Sequence, residues 1–286
     1  MEKVFLTFAD SRMHRSLNRI KRQVLKMNTF DKVLIRNETD LSPDFREHFK
    51  DQLVLGTRGF GYWCWKPQII LQTLQNLNDG DILNYSDAGC HYNTKGKKRL
   101  EDYFDLTVRD NDLGILGFEA VAPDFHDGRF LLDHRDGMWT KGDLLDYFHV
   151  RDNPKIVETQ TICATCLFIR KSGRTVDFVK QWLDVFYKDF SLVDDSPSKS
   201  PNPVDFRENR HDQAVWSILC KLNNVKTVSM YETYYPSPND YYLPDWHRLE
   251  RYPIWAKRNK ATHSLLYRAA RKAWRLSMKF FSRNPQ

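Results

Sequence analysis

The spacing of hydrophobic and polar positions predicts alternating strands and helices in the first ninety residues. Apolar runs typical of buried strands occur in KVFLTF (3–8), KVLIRN (32–37) and GDILNYSD (80–87). Helical spacing between the first two runs is shown by Met13, Leu17, Ile20, Val24 and Met27. Residues 41–55 predict a short helix and a linker, and GTRGFGYWCWKPQIILQTLQNL (56–77) predicts a glycine-rich aromatic loop that leads into a helix. The resulting β-α-β-α-α-β order is typical of a nucleotide-binding α/β half.

The second half of the chain continues the same alternation. Strands are predicted in LGILGF (113–118), TICATCLFIRK (161–171) and KTVSMYE (226–232), and helices in 174–190 and 209–225. The polar stretch 191–206 is predicted to be a mobile surface loop. We therefore expect one α/β domain over residues 1–255, with a mixed sheet between helices, and a separate amphipathic helix over 256–286.

Composition supports a globular protein. Of the 286 residues, 41% are hydrophobic and 14% aromatic, and no apolar run approaches the roughly 20 residues of a membrane span. The N-terminus lacks a signal-peptide pattern, which predicts a cytoplasmic location with reduced cysteines. CATC (163–166) has the spacing of a zinc or redox pair, but no second pair accompanies it. Positions i and i+3 of a strand also face opposite ways, which favours packed core cysteines.

The charge is divided unevenly along the chain. Ten of the 44 Lys and Arg residues lie from Arg251 onward, where there is no Asp or Glu, so residues 1–250 carry 34 basic against 37 acidic residues, a net −3. Nucleic-acid binding by this main part is not indicated. On a helix, one arc of roughly 100° would hold Arg268, Arg271, Lys272, Arg275 and Lys279, with an apolar aromatic face on the other side, a pattern typical of an interfacial helix on anionic lipid. The alternative is a helix that docks on the main domain or on another subunit; the oligomeric state is left open.

Two clusters of candidate binding residues occur near predicted strand ends and helix starts. The first spans Thr7 to Arg15 and includes Thr7, Ala9 and Asp10; it suits either a helix N-cap or a nucleotide contact. The second is GTRGFGYWCWKP (56–67). Its glycines permit close backbone approach, and Arg58 and Lys66 carry charges that neutralise a diphosphate. The spacing is not that of a P-loop, and an aromatic plug that anchors the helix is the alternative.

Two further clusters carry carboxylates. Asp87 follows the third predicted strand, where open α/β sheets place ligand chemistry, and its oxygens suit Mg²⁺ or Mn²⁺. ENRHDQAVW (208–216) opens the last core helix. There, His211 and Asp212 either complement the helix dipole or form the wall of a site together with Gln213.

The combination of FADSRM, GYWCWKP, NYSDAG, WTKGDLLDYF (139–148) and NRHDQ resembles the GT-A glycosyltransferases, in particular bacterial enzymes that build lipopolysaccharide or capsule. The resemblance covers most of residues 1–250. It implies that Asp10 contacts the nucleoside, that Asp87 binds metal and diphosphate, and that Asp212 with Gln213 faces the donor sugar. The chain departs from the family's D-x-D motif, because Tyr85 stands where the first Asp would be. Metal independence is therefore an alternative to Mn²⁺ or Mg²⁺, and His247 is either a further metal ligand or a surface histidine.

These features and the resemblance predict an enzyme that moves a hexose from a nucleotide diphosphate donor, a UDP-hexose, to a glycan or lipid-linked glycan acceptor in bacterial surface-polysaccharide synthesis. The basic tail would place it on the inner face of the cytoplasmic membrane. The Asp212-Gln213 pair favours retention of anomeric configuration; the alternative is inversion, with Asp212 as general base. Other interpretations are a nucleotidyltransferase, a sugar-nucleotide hydrolase, or a non-catalytic partner in a membrane-associated assembly. The strand-to-helix turn ADSRM counts against a nucleotidyltransferase, which would carry a basic glycine-rich loop there.

Overall fold

A six-stranded mixed sheet forms the centre of the computed structural model, which describes residues 1–122, 133–235 and 249–257. The strands of this sheet are β1 (Lys3–Phe8), β2 (Lys32–Arg36), β3 (Ile82–Ser86), β5 (Ile115–Glu119), β6 (Ile162–Arg170) and β7 (Lys226–Ser229). Their order is β2-β1-β3-β6-β5-β7, and β6 runs antiparallel to both of its neighbours. Two short strands, β4 (His91–Tyr92) and β8 (Ile254–Trp255), form a second, antiparallel sheet.

Helices cover both faces of the central sheet. They are α1 (His14–Met27), α2 (Pro43–His48), α3 (Gly59–Tyr62), α4 (Trp65–Gln75), α5 (Lys97–Val108), α6 (Asp136–Trp139), α7 (Gly142–Tyr147), α8 (Pro154–Val157), α9 (Gly173–Lys188) and α10 (Asp212–Leu222). Short 3₁₀ turns lie at Ser11–Met13, Glu38–Asp40, Thr94–Gly96, Phe190–Leu192 and Met230–Glu232.

The two faces of the sheet have separate hydrophobic cores, because successive strand side chains point to opposite sides. In β1, the even-numbered positions Val4, Leu6 and Phe8 pack into one core with α4, α9 and α10. Phe5 packs on the other side with α1 and α5. This alternation confirms the predicted fold class, an α/β protein with a mixed sheet between helices.

Most predicted elements are confirmed, and one prediction needs correction. The stretch 191–206, expected to be a mobile loop, is held in place by hydrogen bonds to two side chains about fifty positions earlier in the chain, Lys141 and Asp143. Asp143 accepts hydrogen bonds from the backbone N–H groups of Lys199 and Ser200, at 2.9 and 2.8 Å. The buried ammonium of Lys141 donates to the Ser191 carbonyl at 2.6 Å. Sequence polarity alone did not reveal these long-range anchors.

Two predictions fall on residues outside the described ranges: the amphipathic helix of the tail and the role of His247. Among the described residues, no helix has both the length and the apolar character needed to cross a membrane.

Candidate active site

The candidate site lies across the ends of central strands of the sheet, on the side where the parallel strands have their carboxyl ends. This side is called the sheet edge below. The parallel strands β1 and β3 both end at this edge, and antiparallel β6 begins there. Asp10 follows β1, Asp87 follows β3, and Asp212 opens α10, which packs against β6. The fold thus brings together residues that are more than two hundred positions apart in the chain.

A buried ion-pair cluster joins two of the predicted acids through a lysine. The ammonium of Lys66 lies 2.6 Å from Asp212 Oδ2 and 3.3 Å from Asp87 Oδ1. It also donates to the Ala164 carbonyl at 3.2 Å. Lys66 and Asp212 are buried, whereas the Asp87 side chain keeps 30% of its surface exposed. Asp87 is therefore the member of this cluster that a bound molecule reaches first.

Tyr85 completes the cluster from the strand itself. Its hydroxyl donates a hydrogen bond to Asp87 Oδ1 at 2.7 Å. Burial raises the pKa of Tyr85 well above its usual value, and the nearby Asp87 charge raises it further, so the hydroxyl keeps its proton. Tyr85 thus orients Asp87, the carboxylate two residues further along the chain. The sequence held a signal for this contact, because residues i and i+2 of a strand share a face.

The charges of the cluster shift one another's pKa values. Burial raises the pKa of Asp212 to about 6; the charge of Asp87 adds to this shift, while Lys66 opposes it. Burial disfavours the charged form of Lys66, but Asp212 and Asp87 outweigh this effect, so the pKa of the lysine is raised. With both acids charged, the cluster has a formal net charge of −1, from two carboxylates and one ammonium.

An unusual backbone segment places Lys66 at this edge. Residues Gly59 to Trp63 all have positive φ angles, between 52° and 82°. For residues other than glycine, the left-handed region costs about 1–2 kcal/mol each, and three of these five residues carry large side chains. Such a run persists only where the surroundings enforce it, and it occurs most often at functional sites.

Aromatic contacts hold the left-handed segment in place. Trp65 stacks on Phe8 at the end of β1, with ring centroids 4.1 Å apart, and donates a hydrogen bond to the Gly59 carbonyl. Trp63 stacks on His211, the residue before Asp212, at 5.6 Å. The aromatic-plug interpretation of this loop is therefore confirmed, and the plug positions the charged cluster.

Arg58 does not join the cluster. Its guanidinium pairs with Asp195 at 3.0 Å and with Glu208 at 3.2 Å, on the exposed side of the loop. Its predicted contact with a diphosphate stays a prediction.

The first strand ends in a local cap. Asp10 accepts hydrogen bonds from the backbone N–H and the guanidinium of Arg12, and this guanidinium lowers the pKa of the carboxyl. Thr7 and Ala9 are buried beside it. The N-cap interpretation of Asp10 is confirmed, and the nucleoside contact stays a prediction.

Gln213 and His211 flank Asp212 in different environments. The Gln213 side chain is half-buried, and its amide has no hydrogen-bond partner among the described residues. His211 has a φ of 54°, and its Nδ1 lies 2.6 Å from the Val193 carbonyl; burial lowers its pKa. His211 therefore acts as a neutral structural residue, whereas the Gln213 amide is available to a ligand.

The acids of this edge suit a divalent cation that arrives with a phosphate ligand. In the described parts of the chain, no three His, Cys, Asp or Glu residues form a group able to hold a metal by themselves. Mg²⁺, however, commonly takes only one or two protein carboxylates and fills its remaining positions with phosphate oxygens and water. The half-exposed Asp87, in a cluster of net negative charge, fits that pattern.

Neither protein-family models nor curated protein sequences match this chain. Among solved structures, it is similar to a glycosyltransferase involved in glycosylation of the major capsid of PBCV-1, with a TM-score of 0.46 and 10% identity over 98% of this chain and 100% of the other. It is also similar to the galactosyltransferase LgtC in complex with donor and acceptor sugar analogues (TM-score 0.45, 13% identity, 100% and 98% covered). A third similar structure is the glycosyltransferase GlyE of Streptococcus pneumoniae TIGR4 (0.47, 11%, 98% and 62%). All three of these proteins are described as glycosyltransferases.

Proposed function

We propose that this protein is a glycosyltransferase. It moves a hexose from a nucleotide diphosphate donor, a UDP-hexose, to a glycan or lipid-linked glycan acceptor. The observation that carries the proposal is the buried Asp87–Lys66–Asp212 cluster at the ends of β1 and β3. Burying charged groups is costly, and removing one partner leaves an uncompensated charge. A buried charged cluster with a raised carboxyl pKa, placed where α/β sheets bind ligands, supports a functional role for this site.

In this proposal, Asp87 is the contact for the diphosphate end of the donor. Its exposed carboxylate would hold Mn²⁺ or Mg²⁺ together with oxygens of the diphosphate. When bound, such a cation neutralises negative charge on the leaving nucleoside diphosphate. The Tyr85 hydroxyl fixes the carboxylate while leaving it partly open to solvent.

Lys66 acts as a positioning residue. Its ammonium faces two carboxylates and a backbone carbonyl, so its hydrogen-bonding capacity is directed inward. It holds Asp212 charged and at a fixed distance from Asp87. The role assigned to Lys66 from the sequence, direct neutralisation of the diphosphate, would require it to leave these partners.

Asp212 and Gln213 are proposed to face the donor sugar. The Gln213 amide is available as both a donor and an acceptor for sugar hydroxyls. Asp212 is buried and paired with Lys66, which suits a fixed negative charge near a developing oxocarbenium better than a proton shuttle that exchanges with water. We therefore favour retention of anomeric configuration.

The acceptor and the location are proposed from the sequence of the tail. Residues 257–286 contain nine Lys or Arg residues and no Asp or Glu. A segment of this composition suits attraction to anionic lipid. A site on the inner face of the cytoplasmic membrane would give access to a lipid-linked glycan of bacterial surface-polysaccharide synthesis.

A donor screen tests this function. The full chain is incubated with UDP, GDP, CDP and ADP sugars, with and without Mn²⁺, and its thermal unfolding is followed. A ligand that binds only the folded state raises the midpoint, by an amount that grows with its concentration over Kd. Any donor that stabilises the protein is then offered with lipid extracts and oligosaccharides, and NMR of the first product gives its anomeric configuration. If no nucleotide sugar shifts the midpoint under any condition, the proposed function is wrong.

A further inference from the structure

Helix α1 carries a concentration of basic residues that contrasts with the rest of the main domain. Residues 11–30 contain six Lys or Arg residues and no Asp or Glu, although residues 1–250 together are slightly acidic. The inner side of α1 packs into the core through Ile20, Val24 and Met27. Five of these cations belong to α1 and lie on its remaining sides, and Arg12 precedes the helix.

Two of the six cations have partners outside α1, whereas Arg22 donates only to the Asn18 carbonyl of its own helix, at 3.3 Å. Arg12 pairs with Asp10, and Arg19 donates hydrogen bonds to the carbonyls of Ala88 and Cys90. The other four are exposed and form no ion pair with any described residue: Arg15, Lys21, Arg22 and Lys26. These four residues are called here the α1 basic face.

The cations of the α1 basic face lie close together on the helix surface. At 100° per residue, Arg15, Arg22 and Lys26 fall within about 40° of one another. Leu25, which is 56% exposed, lies between this stripe and Lys21. Because the apolar side of α1 is buried in the protein, contact of this helix with anionic lipid would be mainly electrostatic, through these cations, with Leu25 as an exposed apolar neighbour.

The C-terminal part of the chain approaches the same side of the sheet. Strand β8 pairs with β4, and the β4 residue His91 contacts Gln23 of α1. The exposed Lys97 donates to the carbonyl of Asn28, just after α1 ends. The 29 residues after Lys257 contain eight Lys or Arg and no Asp or Glu. The described residues 249–257 thus reach a strand pair that contacts α1, and the sequence that follows them is strongly basic.

We propose that the α1 basic face docks on the surface of an anionic lipid bilayer. Phosphate and carboxylate headgroups complement the four unpaired cations, and Leu25 enters the interface. Because α1 begins beside Asp10, docking along its length holds the edge with the ion-pair cluster at the membrane surface. This inference does not depend on the proposed reaction, since it concerns a surface outside the cluster.

Vesicle sedimentation with the full chain tests the proposal. The test variant carries Arg15→Gln, Lys21→Gln, Arg22→Gln and Lys26→Gln. The matched control carries four exposed cations of α2 and α9, on the other face of the sheet: Arg46→Gln, Arg174→Gln, Lys180→Gln and Lys188→Gln. Both variants lose the same net charge and keep the tail. Vesicles contain either phosphatidylcholine alone or 30% phosphatidylserine, and circular dichroism melting checks folding.

A basic residue near an anionic surface contributes about fivefold to the partition coefficient. We expect the test variant to bind the anionic vesicles at least tenfold more weakly than wild type, and the control to stay within threefold. If the test variant melts early, the double variant Arg22→Gln/Lys26→Gln replaces it, with an expected loss of at least fivefold. Equal losses in test and control, or unchanged binding of the test variant, would overturn the proposal. So would wild-type binding to a 20-nucleotide RNA without binding to anionic vesicles.

Discussion

Two carboxylates lie at the same sheet edge, Asp10 and Asp87. The partner of Asp10 is local in the chain, whereas the partners of Asp87 come from distant parts of it. Asp10 pairs with Arg12, two residues away, and caps the turn that follows β1. Asp87 contacts Lys66, and through it Asp212, which lies 125 positions further along the chain. The first arrangement is local and serves the backbone. The second requires the whole fold and places three charges where only one reaches solvent, which is why we assign chemistry to it.

The largest effect is expected from removing the shared lysine. Lys66→Ala leaves the buried Asp212 without its cation, and breaking a buried ion pair in this way typically costs 3–5 kcal/mol. We expect a loss of about 3 kcal/mol in the free energy of unfolding at pH 8, measured by urea denaturation. The loss should shrink at pH 5, where Asp212 takes up a proton. As a control, Arg58→Ala, which removes only exposed ion pairs, should cost less than about 1 kcal/mol. Equal costs for the two variants would remove the distinction between buried and exposed pairs.

The pH dependence of transfer should follow Asp212. Its pKa in the folded protein is about 6, above the usual 3.8, so the charged form of Asp212, which we propose faces the sugar, is lost as the pH falls below 6. We expect kcat/KM to fall about tenfold per pH unit below 6 and to be level above it. A flat profile from pH 4.5 to 8 in the wild type would contradict this assignment.

Folding stability should respond to pH in the opposite direction. Because folding raises the pKa of Asp212, its contribution favours the folded state most below about pH 4, and that contribution is lost as the pH rises through 6. A shift of about two units corresponds to about 3 kcal/mol. The urea midpoints of wild type and Asp212→Asn should therefore be most similar at pH 4.5, where Asp212 is neutral like the asparagine. They should differ most at pH 7.5, where Asp212 is charged. The charged form that transfer requires is the one that costs stability.

The smallest effect is expected at the local cap. Asp10→Ala should lower the free energy of unfolding by about 1 kcal/mol, and Asp10→Asn by a few tenths, because Asn caps helical turns about as well as Asp. Urea denaturation measures both. If Asp10→Asn keeps its stability but loses affinity for uridine monophosphate, Asp10 contacts the nucleoside as well.

The sequence predicted features that depend on local spacing. The strand and helix order, the cap at Asp10 and the burial of Cys166 follow from periodicities of two and 3.6 residues or from adjacent residue types. The burial of Lys66 did not follow, because nothing near it in the chain indicates that α10 will place Asp212 beside it. The left-handed run from Gly59 to Trp63 was equally hidden. Its glycines were a signal for it, but Phe60, Tyr62 and Trp63 take that conformation only because tertiary packing outweighs its cost.

Calorimetric titration with uridine diphosphate, with and without Mn²⁺, tests the central claim most directly. In the wild type, Mn²⁺ should strengthen binding at least tenfold, because Asp87 and the diphosphate share the cation. In Asp87→Asn, which keeps the shape of the side chain, Mn²⁺ should change the affinity less than twofold. Binding of uridine monophosphate should be the same in both proteins. If Asp87→Asn binds uridine diphosphate with Mn²⁺ as tightly as the wild type does, Asp87 is not the diphosphate contact and the ion-pair cluster is not the donor site.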